Sequence, residues 1–181
     1  WNSQSDAIKT QVAKHLFGYI RSEHTDYRIW SLQCLAEIRF KSDWTISEQS
    51  IYPLLMEALE NTSNQEEIAL LLDLLFSYTL RSELLSWCFD RLRDTDSLQP
   101  MIHDYLGRLS HVPATAGILK LIDRGLGNEI LQEVACNILS VIDWQLDRWN
   151  TDVALIYALK WLFHQETRVV QLSALFLARS R

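Results

Sequence analysis

Glycine and proline are scarce in this 181-residue chain, with 5 and 3 copies. Sheet-rich folds need many tight turns, and tight turns draw on those two residues, so the shortage argues for long helices. Cysteine is thin as well. Cys34, Cys88 and Cys136 are odd in number and form no CxxC. That gives no disulfide framework and suits reduced thiols in an intracellular, cytoplasmic protein. No signal peptide opens the chain, and no run of about 20 apolar residues could span a bilayer, so no membrane role is expected. An excess of positive charge is missing too: 17 Lys and Arg against 23 Asp and Glu leave a net charge of −6. Phosphate-binding surfaces normally carry the opposite excess, which disfavours nucleic acid as the main ligand.

What the chain does hold is apolar and helix-favouring. At 48% hydrophobic and 22% charged it has the composition of a folded domain rather than a disordered one. Leu, Ala, Glu and Gln are abundant, all good helix formers. The length suits one domain over 1–181 with a sizeable core. The first residue is Trp1 rather than Met, so the chain reads as part of a longer polypeptide.

The stretch "SIYPLLMEALENTSNQEEIALLLDLL", Ser50 to Leu75, shows the building unit. Ile51, Leu54, Leu55, Ala58 and Leu59 fall on one face of a helix. "ENTSNQ" breaks the pattern, and Leu71, Leu74, Leu75 and Tyr78 begin another face. Thr45 with Glu48, and Ser63 with Glu66, have capping-box spacing ahead of the two helices. Two helices joined by a short polar elbow predict an αα-hairpin.

The hairpin recurs. In "YRIWSLQCLAEI" Arg28 is followed by Ser31 at +3 and the pair Cys34-Leu35 at +6 and +7. The same frame fits Ile68, Gln99, Gln132 and Arg168, so the anchors lie 40, 31, 33 and 36 residues apart. First helices are expected at roughly 5–22, 47–60, 82–93, 113–124 and 150–163, and second helices at roughly 25–40, 64–80, 96–110, 128–142 and 166–180. Pro53 and Pro113 are placed in first turns, where the missing N–H costs little. Pro100 is placed near a helix start, and Gly125 and Gly127 at a helix end.

At these residues the chain resembles the HEAT-repeat family of armadillo-like helical repeats. "IYPLLMEALEN" is similar to that family's first helix. "DYRIWSLQCL" (Asp26–Leu35) and "ETRVVQLSAL" (Glu166–Leu175) are similar to its second-helix signature, Asp/Glu-Val-Arg-x-x-Ala-x-x-Ala-Leu. The middle units carry Ile68, Gln99 and Gln132 where the family has its Arg. The resemblance implies an all-α architecture, an α-solenoid of about five antiparallel hairpins. Each hairpin would cover the next one's apolar flank, and second helices would line a concave wall.

On that wall helix spacing places Ile29, Gln33 and Glu37, then Ala69, Asp73 and Phe76, then His103, Asp104 and Arg108, then Glu133, Asn137 and Ser140. The strip is mixed with an acidic lean and suits a protein or peptide ligand with basic and apolar groups. Trp30 and Trp161 lie in apolar stripes and are assigned to the core. Trp44, Trp144 and Trp149 fall in connections, and Trp144 and Trp149 are candidate exposed anchors, since aromatics dominate binding hot spots. The last helix is apolar nearly all round (Val169, Val170, Leu172, Leu175, Phe176, Leu177), so further repeats or a partner subunit are expected to cover it.

Catalytic signals are thin. His15, His24, His103, His111 and His164 make no metal-ligand spacing. His103-Asp104 has the residue types for acid–base work but no nucleophile beside it. Glu57, Glu60, Glu66, Glu67, Asp73, Glu129 and Glu133 are assigned to polar faces and first turns, where they favour the helix dipole. No Gly-rich phosphate loop and no GxSxG occurs. The expectation is a non-catalytic scaffold without cofactor or metal. The alternative is a nucleic-acid-binding HEAT-like solenoid, the recognition or regulatory arm of a larger enzyme.

Overall fold

The apolar periodicity is realised as helices throughout. The computed structural model describes residues 3–38, 45–46, 49–78, 80–94, 97–143 and 148–179. Among them are ten helices: α1 (Ser3–Ile20), α2 (Thr25–Ile38), α3 (Ile51–Asn61), α4 (Gln65–Phe76), α5 (Ser82–Arg93), α6 (Gln99–Gly107), α7 (Ala116–Leu126), α8 (Gln132–Ser140), α9 (Arg148–Trp161) and α10 (Thr167–Arg179). Each matches one expected helix. The remaining regular structure is two pairs of two-residue strands. Thr45–Ile46 (β1) pairs antiparallel with Gln49–Ser50 (β2). Val112–Pro113 (β3) pairs parallel with Ile142–Asp143 (β4).

The chain forms two compact units, Trp1–Thr79 and Leu80–Arg181. In the first, α1 packs on α2, α3 on α4 and α2 on α4. Its core is aliphatic: Leu32, Leu35, Leu55, Leu59, Leu71, Leu72 and Leu75 are fully buried, each burial contributing about 1.5–3 kcal/mol. In the second unit like packs on like. The first helices α5, α7 and α9 pack in succession, and so do the second helices α6, α8 and α10.

Two seams in the second unit show how the layers meet. Gly125 is buried inside α7, where a Cβ would stand 2.9 Å from the Ala135 Cβ of α8 and 2.9 Å from a Phe89 ring carbon of α5. Glycine is there for close approach, not as the helix end expected of it; Gly127 supplies the C-cap. The β3–β4 pair joins the chain entering α7 to the chain leaving α8, with the Val112 N–H donating to the Val141 carbonyl at 3.1 Å.

Several local expectations are corrected. Helix α3 begins at Ile51, because Gln49–Ser50 is taken by strand pairing, and Thr45 lies in β1 rather than in a capping box. The N-cap of α4 is Asn64, one residue after Ser63; its side chain accepts from the Glu67 N–H at 3.0 Å. Pro113 sits in β3, and α7 starts at Ala116 behind a Thr115 cap that accepts from the Ile118 N–H. The anchor frame holds in four units, where Ser31, Leu71, Ile102 and Ala135 are all buried. It slips in α10. There Val169, Ser173 and Phe176 face inward, while Leu175, expected in the seam, is 54% exposed.

Candidate functional site

The first unit is stitched by charge. Arg28, in the first turns of α2, sends Nε to Oε1 of Glu67 at 2.8 Å and Nη2 to Oε2 at 3.1 Å. Glu67 lies in the first turn of α4, one of the two settings expected for it, and is only 1% exposed. The surrounding groups complete the pair. Arg28 also donates to the Ser22 carbonyl at 2.9 Å and to the Thr25 hydroxyl. The Thr62 hydroxyl donates to Glu67 Oε2 at 2.8 Å. The hydrogen bond to Glu67 pushes the Arg28 pKa above its ordinary value, burial opposes this and the Glu67 charge reinforces it. A cleft of about 290 Å³ opens beside this pair, lined by Ile20, Leu54 and Ala58 and rimmed by Arg21 and Glu57, themselves paired at 2.9 Å. Its charges are spent on one another, so it reads as a seam between hairpins.

The second unit uses a different seam. Asp123 of α7 accepts from Lys160 Nζ at 2.6 Å and from the Trp161 indole N–H at 2.9 Å, tying α7 to α9. Trp161 is 1% exposed, a core residue as expected. His164 Nδ1 accepts from the Glu166 N–H at 3.0 Å, which leaves Nε2–H to point at the Leu126 carbonyl at 3.4 Å. That histidine closes the α9–α10 turn. In the same unit Cys88 and Cys136 are buried, and Cys34 in the first unit is half-buried; all three are free. Burial pushes both buried thiols up, Cys88 far up. Among the described residues no three His, Cys, Asp or Glu side chains converge as a metal site.

The expected partner-facing residues are distributed over both units. Gln33 and Glu37 are exposed on α2, Asp73 is exposed on α4, and Phe76 is half-buried at the end of α4. Gln33 reaches Glu66 of α4 at 3.4 Å, so these two helix faces adjoin. In the second unit His103, Asp104 and Arg108 are exposed on and just after α6, and Glu133 and Asn137 on α8. Arg108 pairs with Asp104 one turn back and lies over the Tyr105 ring. The carboxylate beside His103 is thereby committed to an arginine. Asn137 accepts from Arg168 of α10 at 3.0 Å. Trp44 and Trp144 lie outside the described residues. Trp149 falls in the first turn of α9 rather than in a connection.

A cluster around one residue that periodicity assigned to the core stands out instead. Trp30, expected in the core, is 52% exposed. Its ring meets Tyr19 of α1 edge-on at 6.1 Å, and Tyr19 meets Tyr27 at 6.2 Å. Tyr19 and Tyr27 are exposed, and Ile8 and Val12 continue the same flank of α1. The available signal was the i, i+3 aromatic pair Tyr27 and Trp30 beside the stripe Ile8, Val12, Tyr19. In the second unit the exposed apolar groups are aliphatic with one ring: Ile130 before α8, Ile156, Leu159 and Phe163 along and after α9, and Leu175 on α10. Phe163 is 90% exposed.

Compared with protein-family models, with curated proteins and with solved structures, the chain finds no match. Among the described residues no helix is long and apolar enough to cross a membrane.

Proposed function

We propose that this chain is a non-catalytic interaction module, a HEAT-like α-solenoid of five hairpins that holds a protein or peptide partner against its exposed helix faces. The observation that carries the reading is the contiguous apolar and aromatic surface left open on the first hairpin by Tyr19, Tyr27 and Trp30. Exposed apolar groups that touch one another mark interaction surfaces, whereas scattered ones need no explanation. The like-on-like packing of α5, α7, α9 and of α6, α8, α10 supports the stacked-hairpin reading. The open α9–α10 flank, with Ile156, Leu159, Phe163 and Leu175, is where further repeats or a partner subunit would pack. Three free, separated thiols fit a reducing, cytoplasmic setting.

The test has two parts. Scattering in solution should give the elongated profile of stacked hairpins; the radius of gyration of a compact sphere of this length would overturn the solenoid. Titration with duplex and single-stranded oligonucleotides at low and moderate salt should show no tight binding. A steeply salt-dependent complex would favour nucleic-acid recognition instead.

A further inference from the structure

We infer that the flank of the α1–α2 hairpin carrying Tyr19, Tyr27 and Trp30 docks a cationic segment of a protein partner, a stretch bearing Arg or Lys side chains. The inference rests on the partner-binding reading above and adds the chemistry of the occupant. Three observations combine. The rings form one cluster: Tyr19 lies 6.1 Å from Trp30, edge-on, and 6.2 Å from Tyr27, tilted, and all three are exposed. Asp26, Trp30 and Glu37 follow one another at i, i+4 and i+11 on α2. At 100° per residue they fall within about 40° of one another, with a carboxylate roughly 6 Å before the indole and another roughly 10 Å beyond it. Asp26 and Glu37 are exposed alongside it.

The third observation is the fate of positive charge. Arg28 is the one Lys or Arg in α2. Its guanidinium is consumed by Glu67, the Ser22 carbonyl and Thr25. The charge that α2 offers on this flank is therefore negative. Residues 1–79 as a whole hold 6 Lys and Arg against 11 Asp and Glu.

An apolar cluster alone would fit an aliphatic helix as well as anything else. The carboxylates decide the occupant. Ring faces attract guanidinium and ammonium groups, carboxylates on either side add ion pairs and set the register, and the same carboxylates repel phosphate. A cationic segment gains from every one of these groups; a nucleic acid could stack a base on the rings, but its phosphates, like those of an anionic lipid, meet the repelling carboxylates.

The test uses the full chain, ¹⁵N-labelled, with the Trp30 indole N–H resonance identified by its loss in Trp30→Phe. Capped hexa-arginine, capped hexaglutamate, a neutral leucine-rich helical peptide and a 12-nucleotide single strand are each titrated at moderate salt. Hexa-arginine is expected to move the Trp30 resonance saturably. Its affinity should fall at least tenfold in Tyr27→Ala, and at least fivefold in the double variant Asp26→Asn, Glu37→Gln. These positions are exposed, so thermal melts check that each variant stays folded. Hexa-arginine that binds without moving Trp30, or binds Tyr27→Ala equally well, reports general attraction and overturns the inference. A leucine-rich or acidic peptide that moves Trp30 overturns the cationic assignment and leaves the partner-binding reading standing. Tight binding of the oligonucleotide overturns both.

Discussion

The two units solve one problem, joining hairpin to hairpin, with different chemistry. The first uses a part-buried ion pair, Arg28 with Glu67, whose carboxylate is out of water while its guanidinium is half-buried. The second uses Asp123, whose partners are an exposed lysine and a buried indole. The charge balance differs as well: net −5 over residues 1–79 and −1 over 80–181, counted from the sequence. So do the open flanks, aromatic with acids in the first unit and aliphatic with a phenyl ring in the second. A seam that buries charge must hold both partners, because either alone is stranded in low dielectric. A seam at the surface can lose a charge cheaply. The first unit therefore joins its hairpins through a buried carboxylate and keeps Asp26 and Glu37 outside, where a partner can reach them.

Substitutions can break that contrast. The largest effect is expected from Glu67→Ala, which leaves Arg28 without its counter-ion and the Thr62 hydroxyl without its acceptor; about 3–5 kcal/mol should be lost in denaturant unfolding. The matching double variant Arg28→Met, Glu67→Leu should recover much of it, and failure to recover would show that the pair does more than neutralise itself. Next comes Gly125→Ala, which forces a methyl against Ala135 and Phe89. Overpacking of this kind costs about 1–3 kcal/mol, and an unchanged melting temperature would show that α7 can shift.

Cys88 gives a pH-dependent prediction confined to the second unit. Its thiol pKa is raised by burial in the fold, while the unfolded chain ionises near pH ~8.5. Its contribution is thus complete below that pH. Above it the unfolded state releases the proton first, and stability should fall by up to about 1.4 kcal/mol per pH unit. Cys88→Ala should flatten that alkaline slope relative to its own neutral-pH value. Trp161→Phe loses the N–H bond to Asp123, about 1 kcal/mol, and replaces a fully buried indole by a smaller phenyl, so the space left in the core adds to that loss. Lys160→Ala is expected to be the mildest, at about 0–1 kcal/mol, because the lysine is largely in solvent. A larger loss from Lys160→Ala than from Glu67→Ala would invert the comparison.

Much of this fold was legible from the chain alone. Ten helices and their order follow from apolar spacing, since a stripe at i, i+3, i+4 has one folded use in water. What periodicity leaves open is which side of a terminal hairpin another hairpin covers. Trp30 sits in a stripe with Tyr27 and Cys34, yet it belongs to the open flank, so an apolar position there did not mean core. The burial of Glu67 in its first turn went unseen for a different reason. Its partner lies 39 residues away, and no local pattern announces a long-range ion pair. In α10 apolar residues lie on all sides of the helix, so the register could slide by one and exchange Leu175 for Phe176 in the seam. The cap of α4 moved from Ser63 to Asn64 because both side chains can accept from a first-turn N–H and spacing alone does not choose.

The contrast between the units bears on recognition most directly at the two open flanks. Affinity for capped hexa-arginine should be measured side by side in the wild-type chain, in Trp30→Ala and in Phe163→Ser. At least a tenfold loss in Trp30→Ala with no change in Phe163→Ser is the expected result. Equal affinity in all three, or a loss seen in Phe163→Ser alone, would contradict the assignment of partner recognition to the first unit.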